Sequence, residues 1–182
     1  KVRNINPYLV ESESLLVLGR TNPLCDVQPM VKGNAAIDDG NFVLSPEEKN
    51  EFITNYTQYK HLVKKYIGSK ELINNLDRYC LWLKDATPQE IKENPEILRR
   101  VNNIKQWRSN SKKAATRKFS NFPTRFMEDR QPNSDYLMIP VVSSERRNYI
   151  PVGFLSKEVI ANYSAFILPN ATLFEFGVIT SQ

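Results

Sequence analysis

Apolar residues along this chain fall into short blocks with two different periods. Phe52, Ile53, Tyr56, Tyr59, Leu62, Val63, Tyr66 and Ile67 recur at helical spacing, and Gly68 closes the pattern. Ser45-Pro46-Glu47-Glu48 stands just before it. Serine can cap, proline suits the first helical position, and Glu48 completes a capping box. A helical stretch over residues 46–67 is therefore predicted, divisible in two at Thr57. Thr87-Pro88 starts a short helix, and a longer one is predicted from Pro95. Its apolar stripe is Ile97, Leu98, Val101, Ile104 and Trp107. The stripe fades after Trp107, so residues 109–118 are either a loosely packed helix end or a mobile basic segment.

Elsewhere the period is two. In residues 78–83, Tyr79, Leu81 and Leu83 alternate with Cys80 and Trp82. Both faces are apolar, which predicts a central strand covered on both sides. Residues 136–142 and 149–154 flank a polar centre, 143–148, and predict two strands joined by a turn. Pro140 and Pro151 lack the N–H that a central strand needs, so each marks an edge or a bulge. Residues 15–18 and 165–168 are further strands, and short helices are predicted over 156–162 and 173–179. Asp38-Asp39-Gly40-Asn41 predicts a tight turn with positive φ. Residues 29–34 follow an irregular path and 120–134 form a loop. The fold class is α+β, with a twisted, mainly antiparallel sheet and helices packed around it.

With 182 residues, one domain with a real core is expected. An apolar fraction of 41% and a charged fraction of 25% are those of an ordinary soluble protein, and no apolar run is long enough to span a bilayer. A cytoplasmic location without membrane contact is the expectation. The chain opens at Lys1 and closes directly after an apolar run, so a piece cut from a longer polypeptide is expected.

Charge is unevenly placed. The net charge is +5, yet residues 99–130 alone carry ten basic and two acidic side chains, leaving the remainder at −3. A basic block in a mildly acidic domain is the footprint of a phosphate-backbone partner, whereas a merely solvated helix face carries mixed signs. Phosphate contacts need only reach and positive charge, so either state of residues 109–118 would serve. A further alternative is an interaction module whose basic block contacts acidic protein or RNA. Glu145, Arg146 and Arg147 sit in the predicted turn, either as ligand-facing groups or as a solvated hairpin tip.

Catalytic chemistry is sparse. Cys25, Cys80 and His61 share no metal-ligand spacing, and the two cysteines are expected to be buried thiols. The aspartates at 38 and 39 lack the ligand pattern of a calcium loop. Glu90-Ile91-Lys92, with Asp77 or Asp85 upstream, formally matches part of a metal-dependent nuclease motif, but it follows a helix start where such motifs lie on a strand. Ile5-Asn6-Pro7-Tyr8 superficially matches the Asn-Pro-Pro-Tyr motif of amino-methyltransferases, but it lacks the second proline and a preceding Gly-rich loop. Neither catalytic nor metal-binding residues are assigned.

Several stretches, in order and across nearly the whole chain, resemble the target recognition domain of the MmeI-like, or type IIL, restriction–modification enzymes. They are Ile5-Asn6-Pro7-Tyr8-Leu9, Gly33-Asn34 with Asp39-Gly40-Asn41, Leu44-Ser45-Pro46-Glu47-Glu48 and Arg78-Tyr79-Cys80-Leu81-Trp82-Leu83. Ser143-Ser144-Glu145-Arg146-Arg147, Tyr149-Ile150-Pro151-Val152-Gly153-Phe154 and Pro169-Asn170-Ala171-Thr172 before Phe176-Gly177 complete the set. The resemblance implies a fold similar to type I specificity-subunit recognition domains. It also implies a parent with an endonuclease, an adenine amino-methyltransferase using S-adenosylmethionine, and this domain over residues 1–182.

Double-stranded DNA and the methyltransferase domain of the same polypeptide are the implied partners, with no cofactor held here. The family's methyltransferase signature, cofactor loop and nuclease motif are missing, so this fragment is expected neither to methylate nor to cut. The expected DNA-binding residues are Arg108, Lys112, Lys113, Arg117, Lys118 and Arg125 in the basic block, and Ser143, Ser144, Glu145, Arg146, Arg147 and Asn148 in the turn. The Ser-Ser-Glu-Arg-Arg stretch recurs in a family whose members read different sequences. It is therefore open whether these residues read bases, or hold phosphates and the hairpin.

Overall fold

In the structure, a computed structural model, residues 3–7, 9, 11–13, 18–19 and 27–181 are described. The strand predicted at 15–18 falls mostly outside them, as do Tyr8 and Cys25. The described elements are β1 (Val31–Lys32), β2 (Val43–Leu44), α1 (Pro46–Asn55), β3 (Val63–Ile67), α2 (Ser69–Asn74), β4 (Tyr79–Leu81), α3 (Pro88–Glu93) and α4 (Pro95–Ser109). They continue with α5 (Ala114–Lys118), β5 (Tyr136–Pro140), β6 (Gly153–Leu155), β7 (Ile160–Ala161), β8 (Ala165–Pro169) and α6 (Leu173–Thr180).

The class is α+β as expected, but the described strands form two four-stranded sheets where one was predicted. The first, ordered β1-β8-β5-β6, is antiparallel throughout. The second runs β2-β4-β3-β7, with β7 parallel to β3. β4 is an inner strand with Cys80 and Leu81 fully buried, matching its two apolar faces, and Cys80 is a free thiol.

The cap expected at Ser45 forms, whereas Ser156, expected to cap a helix, starts a turn. Ser45 Oγ accepts the Glu48 N–H and Glu48 returns a carboxylate to the Ser45 N–H. Thr87 with Glu90 does the same for α3, and Thr172 with Glu175 for α6. Such caps contribute about 1 kcal/mol each. Asn94 starts α4, its Oδ1 accepting the Glu96 and Ile97 N–H groups.

Four predictions differ. The helical pattern of residues 46–67 stops at Asn55, tightens into a 3₁₀ turn over Thr57–Leu62, and ends as strand β3. The spacing of Tyr66 and Ile67 suits either state, and pairing with β4 decides it. Residues 156–162 make a turn and β7 instead of a helix, because Ile160 and Ala161 are held by Tyr66 and Ile67. Pro140 is not on an edge: it ends β5, which lies between β8 and β6. Residues 31–32, expected to be irregular, pair with β8 as β1.

The two sheets are stitched together at Gly33-Asn34. Gly33 donates to the Ala165 carbonyl of one sheet and Asn34 to the Ala161 carbonyl of the other. A Cβ on Gly33 would lie 2.4 Å from the Asn162 carbonyl oxygen, so the close approach admits only glycine. The fully buried Asn34 side chain bonds the Ala161 carbonyl and Gln131, and accepts the Arg130 N–H. Asn162 completes the seam, donating through its amide to the Tyr66 hydroxyl.

Among the described residues three apolar clusters follow from this plan. The largest gathers Phe42, Leu44, Phe52, Tyr66, Leu81, Leu83, Ile97 and Ile104 about Phe126, whose ring meets Trp82 at 4.9 Å and Phe42 at 5.0 Å. A second joins Tyr136, Met138 and Ile167 with Ile67. The third lies between β5, β8 and α6. Among the described residues no helix is long and apolar enough to cross a membrane.

Candidate nucleic-acid interface

The basic block divides into two kinds of residue. α4 buries Ile97, Val101, Ile104 and then Arg108, one residue beyond the predicted end of its stripe, while Trp107 turns outward at 39% exposure. Arg108 is fully buried. Its guanidinium donates to the carbonyls of Ala36, Ile37, Phe122 and Arg125 at 2.8–2.9 Å and lies 5.2 Å from the Phe119 ring centre.

Arg108 is therefore not available to DNA, a correction to its expected role. Burial pushes its pKa down to about 10, with Asp38 opposing the shift, so it stays charged at neutral pH. Asp38 in turn has its carboxyl pushed up by burial, against the Phe42 N–H that it accepts at 2.5 Å. The turn beside it has Asp39 and Gly40 at positive φ, as predicted.

The remaining basic residues stay on the surface. Residues 109–118 are neither a continuation of α4 nor a coil: a bend leads into the short helix α5, anchored by buried Thr116. Lys112, Lys113, Arg117 and Lys118 are exposed around it. Arg117 directs one guanidinium nitrogen to the carbonyls of Ser111 and Lys112, both at 2.8 Å, which fixes the bend. Arg125 is exposed near Phe122, while its carbonyl belongs to the Arg108 socket.

Residues 141–152 link β5 to β6. The hairpin predicted here exists, with Tyr136 facing Leu155 and Met138 facing Gly153, but its connection is longer than a turn. Residues 141–150, including Ser143, Ser144, Glu145, Arg146, Arg147 and Asn148, are exposed throughout. A local bend forms where the Ser144 carbonyl accepts the Arg147 N–H and the Ser144 hydroxyl accepts the Arg146 N–H. The Glu145, Arg146 and Arg147 side chains have no hydrogen bond or ion pair among the described residues, so their donors and acceptors face outward. The loop base is firm: Tyr136–Pro140 is wholly buried.

The nuclease alternative finds no constellation. Asp77 pairs with Lys65 at 2.7 Å, and Glu90 caps α3 while bonding His61 Nε2 at 2.9 Å. Thr87 chiefly holds the Glu90 carboxyl below its ordinary range. No group of three or more His, Cys, Asp or Glu among the described residues is arranged to hold a metal ion. The crowded glycines are packing positions: Gly33 abuts the Asn162 backbone and Gly68 abuts the Ser164 hydroxyl.

Sequence reasoning misses the outward amides of α4 and, Asn34 apart, the polar groups of the seam, Gln131 and Asn162. A buried Asn or Gln carries no periodic signal.

A family model described as "MmeI, target recognition domain" matches residues 11–182. The chain belongs to this family. DNA methyltransferase A of Bacillus subtilis (strain 168) is 34% identical over 181 residues, covering 100% of this chain and 21% of that protein. A solved structure of the type IIL restriction–modification enzyme MmeI in complex with DNA matches with a TM-score of 0.87 at 38% identity, covering 99% of this chain and 24% of that one. An MmeI-type recognition domain is thus about a quarter or less of these two relatives.

Proposed function

We propose that this chain is the sequence-specific, double-stranded DNA recognition domain of a larger adenine amino-methyltransferase of a restriction–modification system. The observation that carries the reading is the contrast between satisfied and unsatisfied cations. Once Arg108 is set aside, Lys112, Lys113, Lys118, Arg125 and most of Arg117 still present donors outward, and so do Arg146 and Arg147. Membership of the MmeI family and the likeness to an enzyme solved on DNA support it.

Methylating one adenine in a defined sequence requires taking that base out of the stack while its neighbours are read. In this reading Lys112, Lys113, Arg117, Lys118 and Arg125 grip phosphates, which sets position without sequence information. Arg146, Arg147, Asn148 and Glu145, with Ser143 and Ser144, reach base edges from the loop. Arginine suits guanine, asparagine suits adenine, and a carboxylate accepts from cytosine. S-adenosylmethionine supplies the methyl group in another part of the parent, and an endonuclease, where the parent has one, lies there too.

The test is a duplex-binding titration of the chain at several salt concentrations. Steeply salt-dependent binding, weakened on all sequences by joint charge reversal of Lys112, Lys113 and Arg117, is expected. Unchanged affinity in that variant, or preference for RNA or acidic protein, overturns the proposal.

A further inference from the structure

α4 offers a second polar surface that the basic block and the loop do not explain. Opposite its buried edge, Asn103, Gln106, Trp107 and Asn110 recur at intervals of three and four, so they share one face. With Asp39 and Asn41 from the neighbouring turn they line an open hollow of about 490 Å³.

Its chemistry is specific. Four of the six side chains are amides, one is a carboxylate and one an indole, and no cation lines it. Asn103 Nδ2 is tied to Asn41 Oδ1 at 3.2 Å, and the Arg100 guanidinium holds the Asn41 carbonyl at 3.0 Å, which fixes the hollow's rim. The Gln106 and Asn110 amides have no partner among the described residues. Uncharged amides that each offer donor and acceptor suit the major-groove edge of a base, adenine above all, and a carboxylate suits the cytosine amino group.

Position points the same way. Asn110 ends α4, and Lys112, Lys113 and Arg117 follow within seven residues, held by the bend that Arg117 makes with Ser111 and Lys112. Phosphate-gripping groups thus sit at the end of the amide face. From Asn103 to Asn110 the helix advances about 10 Å, or about three base-pair steps at roughly 3.4 Å. An α-helix is also of a width that the major groove admits.

We infer that the C-terminal half of α4 is a base-reading helix, with Gln106 and Asn110 as specificity-determining residues and Trp107 packed against the DNA beside them. This rests on the duplex-DNA reading above. It adds a second reading element to the loop at residues 143–148.

The experiment selects preferred duplexes from a randomised library with the wild-type chain, Q106A, N110A and W107F. Alanine is a good helix former, and circular dichroism confirms each variant folded. Q106A and N110A are expected to lose about 10-fold in preference at one or two adjacent base pairs, within the range of a bidentate contact. Affinity for random duplex and its salt slope should stay as in the wild type. Bound DNA should quench tryptophan emission in the wild type, and W107F should remove most of that quenching. Unchanged preferences in Q106A and N110A, or full quenching in W107F, overturn the inference while leaving the duplex-binding reading intact. Failure of the wild-type chain to bind duplex at all overturns both.

Discussion

Arg108 and the pair Arg146–Arg147 belong to one basic inventory in the sequence, and the fold gives them opposite circumstances. Arg108 sits under α4 with its donors on four backbone carbonyls, joining the helix to the segments at 36–37 and 122–125. Arg146 and Arg147 stand on an exposed loop with no internal side-chain partner among the described residues. A guanidinium whose donors are already satisfied by buried carbonyls is a structural bolt, and only one left unsatisfied is free to bind a ligand. The same test separates Lys112 and Lys113 from Arg100, which is engaged with Glu96 and two backbone carbonyls.

The contrast can be broken most directly at the bolt. Replacing Arg108 with alanine leaves several buried carbonyls without donors, and chemical denaturation should show a loss of about 3–5 kcal/mol. A loss under about 1 kcal/mol would mean that the socket is not what holds these segments. At the seam, Gly33→Ala forces a methyl into the Asn162 backbone and should cost about 1–3 kcal/mol by the same measurement.

Loop and α5 variants sharpen the other side. Arg146→Ala and Arg147→Ala should leave unfolding within about 0.5 kcal/mol of wild type. Each should cost about 1–3 kcal/mol of discrimination between cognate and altered sites if they read bases. Equal losses on every sequence would make them phosphate-binding groups. Charge reversal at Lys112, Lys113 and Arg117 should flatten the log–log salt dependence by about 0.9 for each phosphate no longer neutralised.

The smallest effect concerns Glu96, whose carboxyl is held below its ordinary value of 4.5 chiefly by Arg99, with Arg100 assisting. A depressed carboxylate lends stability above its unfolded value and loses it as pH falls through the folded one. Glu96→Gln should therefore cost about 0.5 kcal/mol near neutrality. Denaturation curves of the two proteins should converge in acid, and a gap that persists there would refute the ion-pair account.

How much of this is legible without the structure depends on the kind of signal. Ser45 and Thr87 announce their helices because a cap is a local arrangement of neighbouring residues. The inner strand at Tyr79–Leu81 shows through its two apolar faces. Residues 63–67 mislead because the apolar positions of so short a run satisfy either period, and only the partner strand β4 resolves it. Arg108 is opaque for a deeper reason. A long cation one position past an apolar stripe looks like surface, and the carbonyls that receive it come from segments about 14 and 70 residues away. The outward set of Asn103, Gln106, Trp107 and Asn110 is hidden by Trp107 itself, because helical spacing places an indole there on the core face.

The loop at residues 141–152 leaves a buried strand and returns through a paired one, and the exposed Glu145, Arg146 and Arg147 side chains form no hydrogen bond or ion pair among the described residues. Substitution of Glu145, Arg146 or Arg147 should thus leave the fold intact. The frame held by Gly33, Asn34 and Arg108 does not depend on what those side chains contact. The architecture separates the groups that keep the shape from those left free to make outside contacts, so either set can be altered without the other.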